Sequence, residues 1–326
     1  MKKLRFGIVG TGTIAHRFAQ AIKNVPEAEL VAVASRTKEN AEKFADEFDI
    51  PVRFDSYEKM AESDVIDAAY IAVPHSGHIT CSMLMMNNKK HVICEKPMAV
   101  NKREAEAMFE CADKNNVLLM EAMWARVVPG TIKMLEIIKS GVLGDILAVE
   151  GKFCYTMDED EMGHHVFKVE NGGGSLLDVG VYGLNFASWY LGKDVVDINA
   201  QCSVYNGTDS HMCVLLKYSD EKIADISSAT LLRKPNEGFV YGSKGYAHLP
   251  RFYAPQEINL NFNSGEKETI ATPYAGNGFE EQIKHFCNCV ERGLKESDII
   301  TREQTLYITE QMDKIRKMTG IVYPQD

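Results

Sequence analysis

At 326 residues the chain exceeds one typical domain and suggests two, each long enough to bury its own core. Its composition, 45% hydrophobic and 25% charged, is that of an ordinary globular protein. A net charge of -10 with no basic stripe argues against a nucleic-acid or anionic-membrane partner, so an anionic cofactor has to meet local positive charge or helix dipoles.

The apolar run that opens the chain breaks at Gly10, too early for a signal peptide. No stretch approaches the roughly 20 apolar residues that span a bilayer. The expectation is a cytoplasmic protein whose eight cysteines, none in a C-x-x-C pair, are reduced core thiols. Residues 4–9 read as a strand, followed by Gly10-Thr11-Gly12-Thr13-Ile14-Ala15 and a helical pattern through Phe18, Ala19, Ile22 and Val25. This is G-x-G-x-x-A between a strand and a helix, where glycines admit a pyrophosphate against the free N–H groups of the helix N-terminus. A second strand at residues 30–34 completes the unit.

That strand ends in Ser35-Arg36-Thr37-Lys38, where an NAD site usually places a carboxylate on the ribose 2'-hydroxyl. None stands there. Arg36 stacked on adenine, with Ser35 and Lys38, would hold a 2'-phosphate, so NADP(H) is expected over NAD(H). The alternative is that Arg36 and Lys38 are solvated charges at a helix start.

Strands at 52–54, 65–73, 90–94 and 117–121 alternate with helices at 57–62, 79–87 and 102–115, which predicts a Rossmann-type doubly wound parallel sheet. Loops at the carboxyl ends of such strands form the ligand crevice, which places Pro74, His75, His78, Glu95, Lys96 and Pro97 beside the cofactor. From Asp145 the pattern changes to strands at 146–155, 195–205, 212–218, 223–228, 238–241, 246–249 and 258–262, interrupted by one helix at 175–191 after Gly172-Gly173-Gly174. An α+β domain with an open, mostly antiparallel sheet follows, and its uncovered face predicts a homodimer. Residues 1–123 are assigned to dinucleotide binding and 124–301 to substrate binding and dimerisation. The terminal helices, at 279–293 and 302–319, are expected to pack back on the first domain.

Three residues carry the chemistry. Lys96 supplies a fixed positive charge, Tyr182 a weak acid able to exchange a proton, and Asp178 lies one helical turn before Tyr182. A free phenol titrates near 10, and lowering that by about 2 to 3 pH units takes roughly 3 to 4 kcal/mol. One ammonium about 4 Å away at an effective dielectric near 20 supplies about that much. Trp124 and Arg126 are candidate walls of a substrate pocket, Trp124 alternatively a packing residue. The acidic segment 158–165 is either substrate-facing or a solvated surface. No metal site is expected: His164 and His165 are adjacent, and neither His75 nor His78 has a carboxylate or Cys at ligand spacing.

The glycine fingerprint, the Glu95-Lys96-Pro97 triplet and the segment from Gly172 to Tyr182 together resemble the glucose-fructose oxidoreductase, inositol dehydrogenase and rhizopine-catabolism (Gfo/Idh/MocA) family over the whole chain. Met120-Glu121-Ala122-Met123-Trp124-Ala125-Arg126, Leu143-Gly144-Asp145 and the ending Tyr323-Pro324-Gln325-Asp326 look like its dimeric dihydrodiol dehydrogenase branch. That resemblance implies an NAD(P)-dependent oxidoreductase acting on a sugar, diol or carbonyl substrate, with an Arg after the second strand and Tyr182 where many members carry His. It also implies a cis peptide at Lys96-Pro97 and a place for His78 near the nicotinamide. Two other readings stay open: a nicotinamide-sensing regulatory protein, and a glycosidase that uses tightly bound NAD transiently.

Overall fold

The structure is a computed structural model, and it describes residues 3–157 and 164–326. The chain divides into two compact units, residues 1–127 with 275–306 and residues 128–274 with 307–326. The first holds β1 (Leu4–Val9), α1 (Thr13–Ile22), β2 (Ala28–Ala34), α2 (Lys38–Phe48), β3 (Val52–Phe54), α3 (Tyr57–Glu62), β4 (Ala68–Ile71), α4 (His78–Asn87), β5 (His91–Cys94), α5 (Lys102–Asn115) and β6 (Leu119–Glu121). All six strands are parallel, in the order β3-β2-β1-β4-β5-β6. Period-two alternation sends β4 side chains to opposite faces. Ala69 and Ile71 share a core with Met85, Met108 and Phe109 of α4 and α5. Tyr70 faces the other way and stacks on Phe18 of α1, ring centroids 3.8 Å apart.

Helix ends follow local chemistry. Asn101 accepts from the Glu104 N–H at 2.9 Å to start α5, and Asn116 ends it in the left-handed conformation, a pair of caps contributing on the order of 1 kcal/mol each. The helix α2 was anticipated only as a helix start near Arg36 and Lys38 and given no extent, because its periodic positions are alanine and phenylalanine between many charges. The predicted strand at 65–73 shortens to β4, since pairing with β1 covers only Ala68–Ile71.

In the second unit come α6 (Pro129–Ser140), β7 (Ile146–Cys154), a π-helical turn (Leu176–Gly180), α7 (Val181–Leu191), β8 (Val195–Tyr205), β9 (Thr208–Tyr218), β10 (Ile223–Ala229), β11 (Glu237–Gly242), β12 (Gly245–Pro250), β13 (Glu257–Phe262) and β14 (Lys267–Ala271). These strands form one sheet, β14-β13-β12-β11-β7-β10-β9-β8, antiparallel except for the β7–β10 pair. The expected α/β class with a second, mostly antiparallel sheet is what the chain adopts. The helix α6 and the strand β14 were missed, and the helix placed at 175–191 begins as a π turn, not as continuous α-helix. Helix α7 packs against β7 and β10. The opposite sheet face displays Leu215, Ile223 and Tyr246 as exposed apolar side chains.

Helix α8 (Phe279–Glu291) packs on α1 in the first unit, where Phe286 lies 5.7 Å from Phe6. Helix α9 (Arg302–Thr319) divides: its residues to Leu306 belong to the first unit and those from Tyr307 to the second. No helix among the described residues is long and apolar enough to cross a membrane. All eight cysteines are free; six are buried, but Cys202 is half-buried and Cys213 exposed, so not all are core thiols.

Candidate functional site

In the first unit, β1 lies between β2 and β4, so the chains leaving β1 and β4 diverge and open a crevice at their carboxyl ends. Gly10 enters that turn with φ +100°, and a Cβ there would stand 2.4 Å from the Ala72 carbonyl oxygen. Only glycine fits. Gly12 caps α1 without a side-chain hydrogen bond and with open space around it. Thr11 is half-buried, Gly12 and Thr13 exposed, Ile14 half-buried. Free amide groups beside an uncrowded glycine fit a pyrophosphate. At the end of β2, Ser35 is buried and its N–H donates to Phe54 O. Arg36 is exposed and has no hydrogen bond or ion pair to any described residue, whereas Lys38 lies 3.6 Å from Glu42.

After β4, Pro74 leads into a short turn, His75–Gly77, with His75 buried. His78 is fully enclosed: Nδ1 lies 2.9 Å from Pro97 O and Nε2 3.0 Å from Val73 O. Burial pushes its pKa down to about 4, so near pH 7 the ring is neutral and its single N–H serves one carbonyl at a time. Both nitrogens are thus turned onto backbone, joining the loop after β4 to the turn after β5. That turn contains a cis Lys96-Pro97 bond, as the family resemblance implied. Glu95 is buried; it accepts from the Tyr70 hydroxyl and, at 3.2 Å, from the Lys96 N–H. Burial pushes its carboxyl up against the opposing pull of the Lys96 charge and the Tyr70 hydroxyl. Glu121, also buried, accepts from Met98 N and from Thr305 Oγ1. Two desolvated carboxylates, Glu95 expected beside the cofactor and Glu121 given no site role from the sequence, therefore brace the backbone around Lys96, itself half-buried. Trp124 is 2% exposed, 5.1 Å from Phe279, with the Arg17 guanidinium over both rings. Arg126 is half-buried in the same short turn, Trp124–Arg126.

In the second unit, Tyr182 lies in the first turn of α7 and is buried beside Phe153 and Tyr253, ring centroids 5.5 and 5.8 Å away. Phe153 and Tyr253 stack on each other at 3.9 Å with 10° between planes. Asp178 is half-buried on the π turn; its Oδ2 accepts from the Tyr155 hydroxyl and its N–H donates to Gly174 O at 3.1 Å. The structure thus gathers a phenol, a flat aromatic face and a held carboxylate in one place. Tyr155, Phe153 and Tyr253 were missed because nothing in a strand or turn sequence says which side chain faces a helix.

Most of the acidic segment, residues 158–163, lies outside the described residues; the rings of His164 and His165 that follow are tilted against each other, centroids 3.9 Å apart. Among the described residues one group, His285 with Cys289 and Asp298, offers three potential metal-ligating atoms within 4.8 Å of one another. Ser297 Oγ already sits 2.7 Å from His285 Nε2, and Arg292 pairs with Asp298 at 2.8 Å.

Residues 4–123 match the family model described as oxidoreductase family, NAD-binding Rossmann fold, and residues 131–248 the model of the GFO/IDH/MocA C-terminal domain. The chain is 32% identical to trans-1,2-dihydrobenzene-1,2-diol dehydrogenase of Mus musculus and 31% identical to that of Danio rerio, in each case over 99% of both chains. Among solved structures it is similar to a 3-ketoreductase from Actinomadura kijaniata in complex with NADP and TDP-benzene, at a TM-score of 0.89 and 25% identity, over 97% of this chain and 98% of that one. An aldose-aldose oxidoreductase from Caulobacter crescentus, 24% identical over 98% of each chain, shares the fold at a TM-score of 0.89.

Gly10→Ala adds a methyl group where backbone geometry and the Ala72 carbonyl both exclude it. The expected outcome is at least a tenfold loss of nicotinamide-dinucleotide affinity, a difference of about 1.4 kcal/mol or more, read by fluorescence titration with NADPH. Wild-type affinity in this variant would show that the turn after β1 does not hold the pyrophosphate.

Proposed function

The chain belongs to the Gfo/Idh/MocA family of oxidoreductases, and from that membership we propose that it exchanges hydride between nicotinamide C4 of NADP(H), preferred over NAD(H), and a carbinol or carbonyl carbon of a sugar, cyclic diol or related small polyol. Tyr182 Oη gives the proton in reduction and takes it in oxidation. Lys96 supplies the positive charge that draws the phenol's pKa toward neutrality. Asp178, with one oxygen engaged by Tyr155, orients Lys96 or binds a substrate hydroxyl. The observation that carries this reading is the stack of Phe153 on Tyr253 beside Tyr182 and Asp178. A flat apolar face next to an acid and a carboxylate suits a ring bearing hydroxyl groups.

In the first unit, Gly10 to Ile14 are assigned the pyrophosphate, Ser35, Arg36 and Lys38 the ribose 2'-phosphate, and Pro74, His75, Glu95 and Pro97 the walls around the nicotinamide. His78 acts there through the two backbone segments that it joins. The solvent-facing guanidinium of Arg36, without an ion pair among the described residues, supports the preference for NADP(H). Arg126 is assigned to the substrate; Trp124, enclosed by Phe279 and Arg17, is assigned to holding that wall in place. The exposed Leu215, Ile223 and Tyr246 support a homodimer through the open sheet face.

Absorbance at 340 nm, followed with aldopyranoses, inositols, trans-dihydrodiols and dicarbonyls and both cofactors, tests the reading directly. Sustained turnover is expected; tight cofactor binding without turnover on any compound would point to a sensor. Tyr182→Phe and Lys96→Met should each lower kcat by about 100- to 10,000-fold, the range of general acid–base catalysis, while leaving NADPH affinity within a few fold. Near-wild-type rates in either would remove that residue from the chemistry. Arg36→Glu should weaken NADPH about 100-fold, roughly 2.7 kcal/mol, with little effect on NADH; equal losses for both would assign Arg36 to the adenine alone. Sedimentation velocity should show a dimer that Leu215→Lys combined with Tyr246→Lys converts to a monomer, and an unaltered dimer would place the interface elsewhere.

A further inference from the structure

Asp209 lies at the start of β9 with no exposure to solvent. Its Oδ2 accepts two hydrogen bonds at 2.7 Å, one from Ser175 Oγ and one from the Leu176 N–H, the first residue of the π turn. Its Oδ1 is buried without a hydrogen-bond partner among the described residues. Ser175 Oγ also lies 3.0 Å from Ser228 Oγ and 3.1 Å from Ser228 O on β10. Two neighbouring strands thus grip the residue at which the π turn begins.

The glycine loop is shaped around the same carboxylate. Gly174 has φ +118°, and a Cβ there would fall 2.1 Å from Asp209 Oδ1. Tyr323 donates to Gly173 O, and the Asp178 N–H donates to Gly174 O. A single turn of backbone therefore connects Asp209 to Asp178, and Tyr182 follows one turn later.

A buried carboxylate with one unpartnered oxygen and no cation bonded to it among the described residues is a poor device for stability. Burial pushes its pKa up to about 6, although both hydrogen bonds pull the other way. The fold therefore favours the neutral form: this group's stabilising contribution is present below its unfolded pKa near 4 and lost as pH rises through about 6. The groups around it are the Tyr323 phenol, the Cys202 thiol on β8, Arg316 over the Tyr323 ring at 4.7 Å, and His165 on the short turn packed against β9. Burial raises the phenol and the thiol, so both stay neutral between pH 5 and 8.

We infer that Asp209 is a positioning residue: its carboxylate anchors the first turn of the segment that bears Asp178 and Tyr182 and so fixes where those two side chains stand. The inference rests on the roles proposed above for Asp178 and Tyr182. It accounts for an arrangement in which a neutral residue of the same shape would cost less to bury.

Asp209→Asn keeps the shape and removes the charge. The expected result at pH 8 is a kcat lowered at least tenfold, an NADPH Kd within twofold of wild type, a Tm no lower than wild type, and amide hydrogen exchange at least tenfold faster confined to residues 175–182. Ser175→Ala, which removes one donor and leaves the carboxylate, should change kcat and exchange in the same direction and by less. Wild-type kcat and exchange in both variants would overturn the inference. So would a lowered Tm with faster exchange throughout residues 128–274, the behaviour of an ordinary structural residue. If the unaltered protein turns over no compound, the proposed function fails by itself, and the exchange pattern still decides the role of Asp209.

Discussion

The backbone of Gly10 runs so near the Ala72 carbonyl that even a methyl group would stand 2.4 Å from it. That close approach is possible because β1 is paired on both sides, with β2 and with β4, and the chain must turn sharply as it leaves the sheet. The other nucleotide-site loops take their positions from the same parallel pairing. Tyr70 of β4 is stacked on Phe18 and bonded to Glu95, and Glu95 in turn accepts from Lys96 N. His78 links the loop after β4 to the turn after β5. A change in strand register would flip Tyr70 to the other face and dismantle this set of contacts together.

Positive charge is local in this molecule. The net charge of -10 would repel an anionic cofactor at long range, but exposed charges more than about 10 Å apart are largely screened at ordinary salt. In the proposed reading, what acts at contact distance is the guanidinium of Arg36, the amides at the start of α1 and the ammonium of Lys96. Buried carboxylates are used in the opposite sense. Glu95, Glu121 and Asp209 are all desolvated, all pushed upward by burial, and all bonded to backbone N–H groups next to functional side chains. Each gives directional grip on a backbone segment and costs solvation to do so, a trade of stability for a fixed site.

Much of the architecture could be read from pattern. Strand–helix alternation, the glycine fingerprint and the change to closely spaced strands after Asp145 identified both sheets, and helices such as Lys102–Asn115 were placed to the residue. The π turn before Tyr182 was not legible, because helical spacing alone cannot distinguish i+4 from i+5 bonding. Trp124 could be read as a pocket wall or as packing, and its 2% exposure between Phe279 and Arg17 could come only from segments far apart in sequence.

The sequence by itself determined the strand order's raw material, the nucleotide turn and the identity of Lys96, Asp178 and Tyr182, since each depends on neighbours within a few residues. Tertiary structure decided what stands around them: Tyr155 on Asp178, the Phe153–Tyr253 stack beside Tyr182, and Asp209 beneath the glycine loop. Those partners are 23, 100 and 33 residues apart in sequence. Local pattern sets which face of an element is apolar; which distant side chain meets that face is fixed only when sheet register and helix packing close the chain on itself.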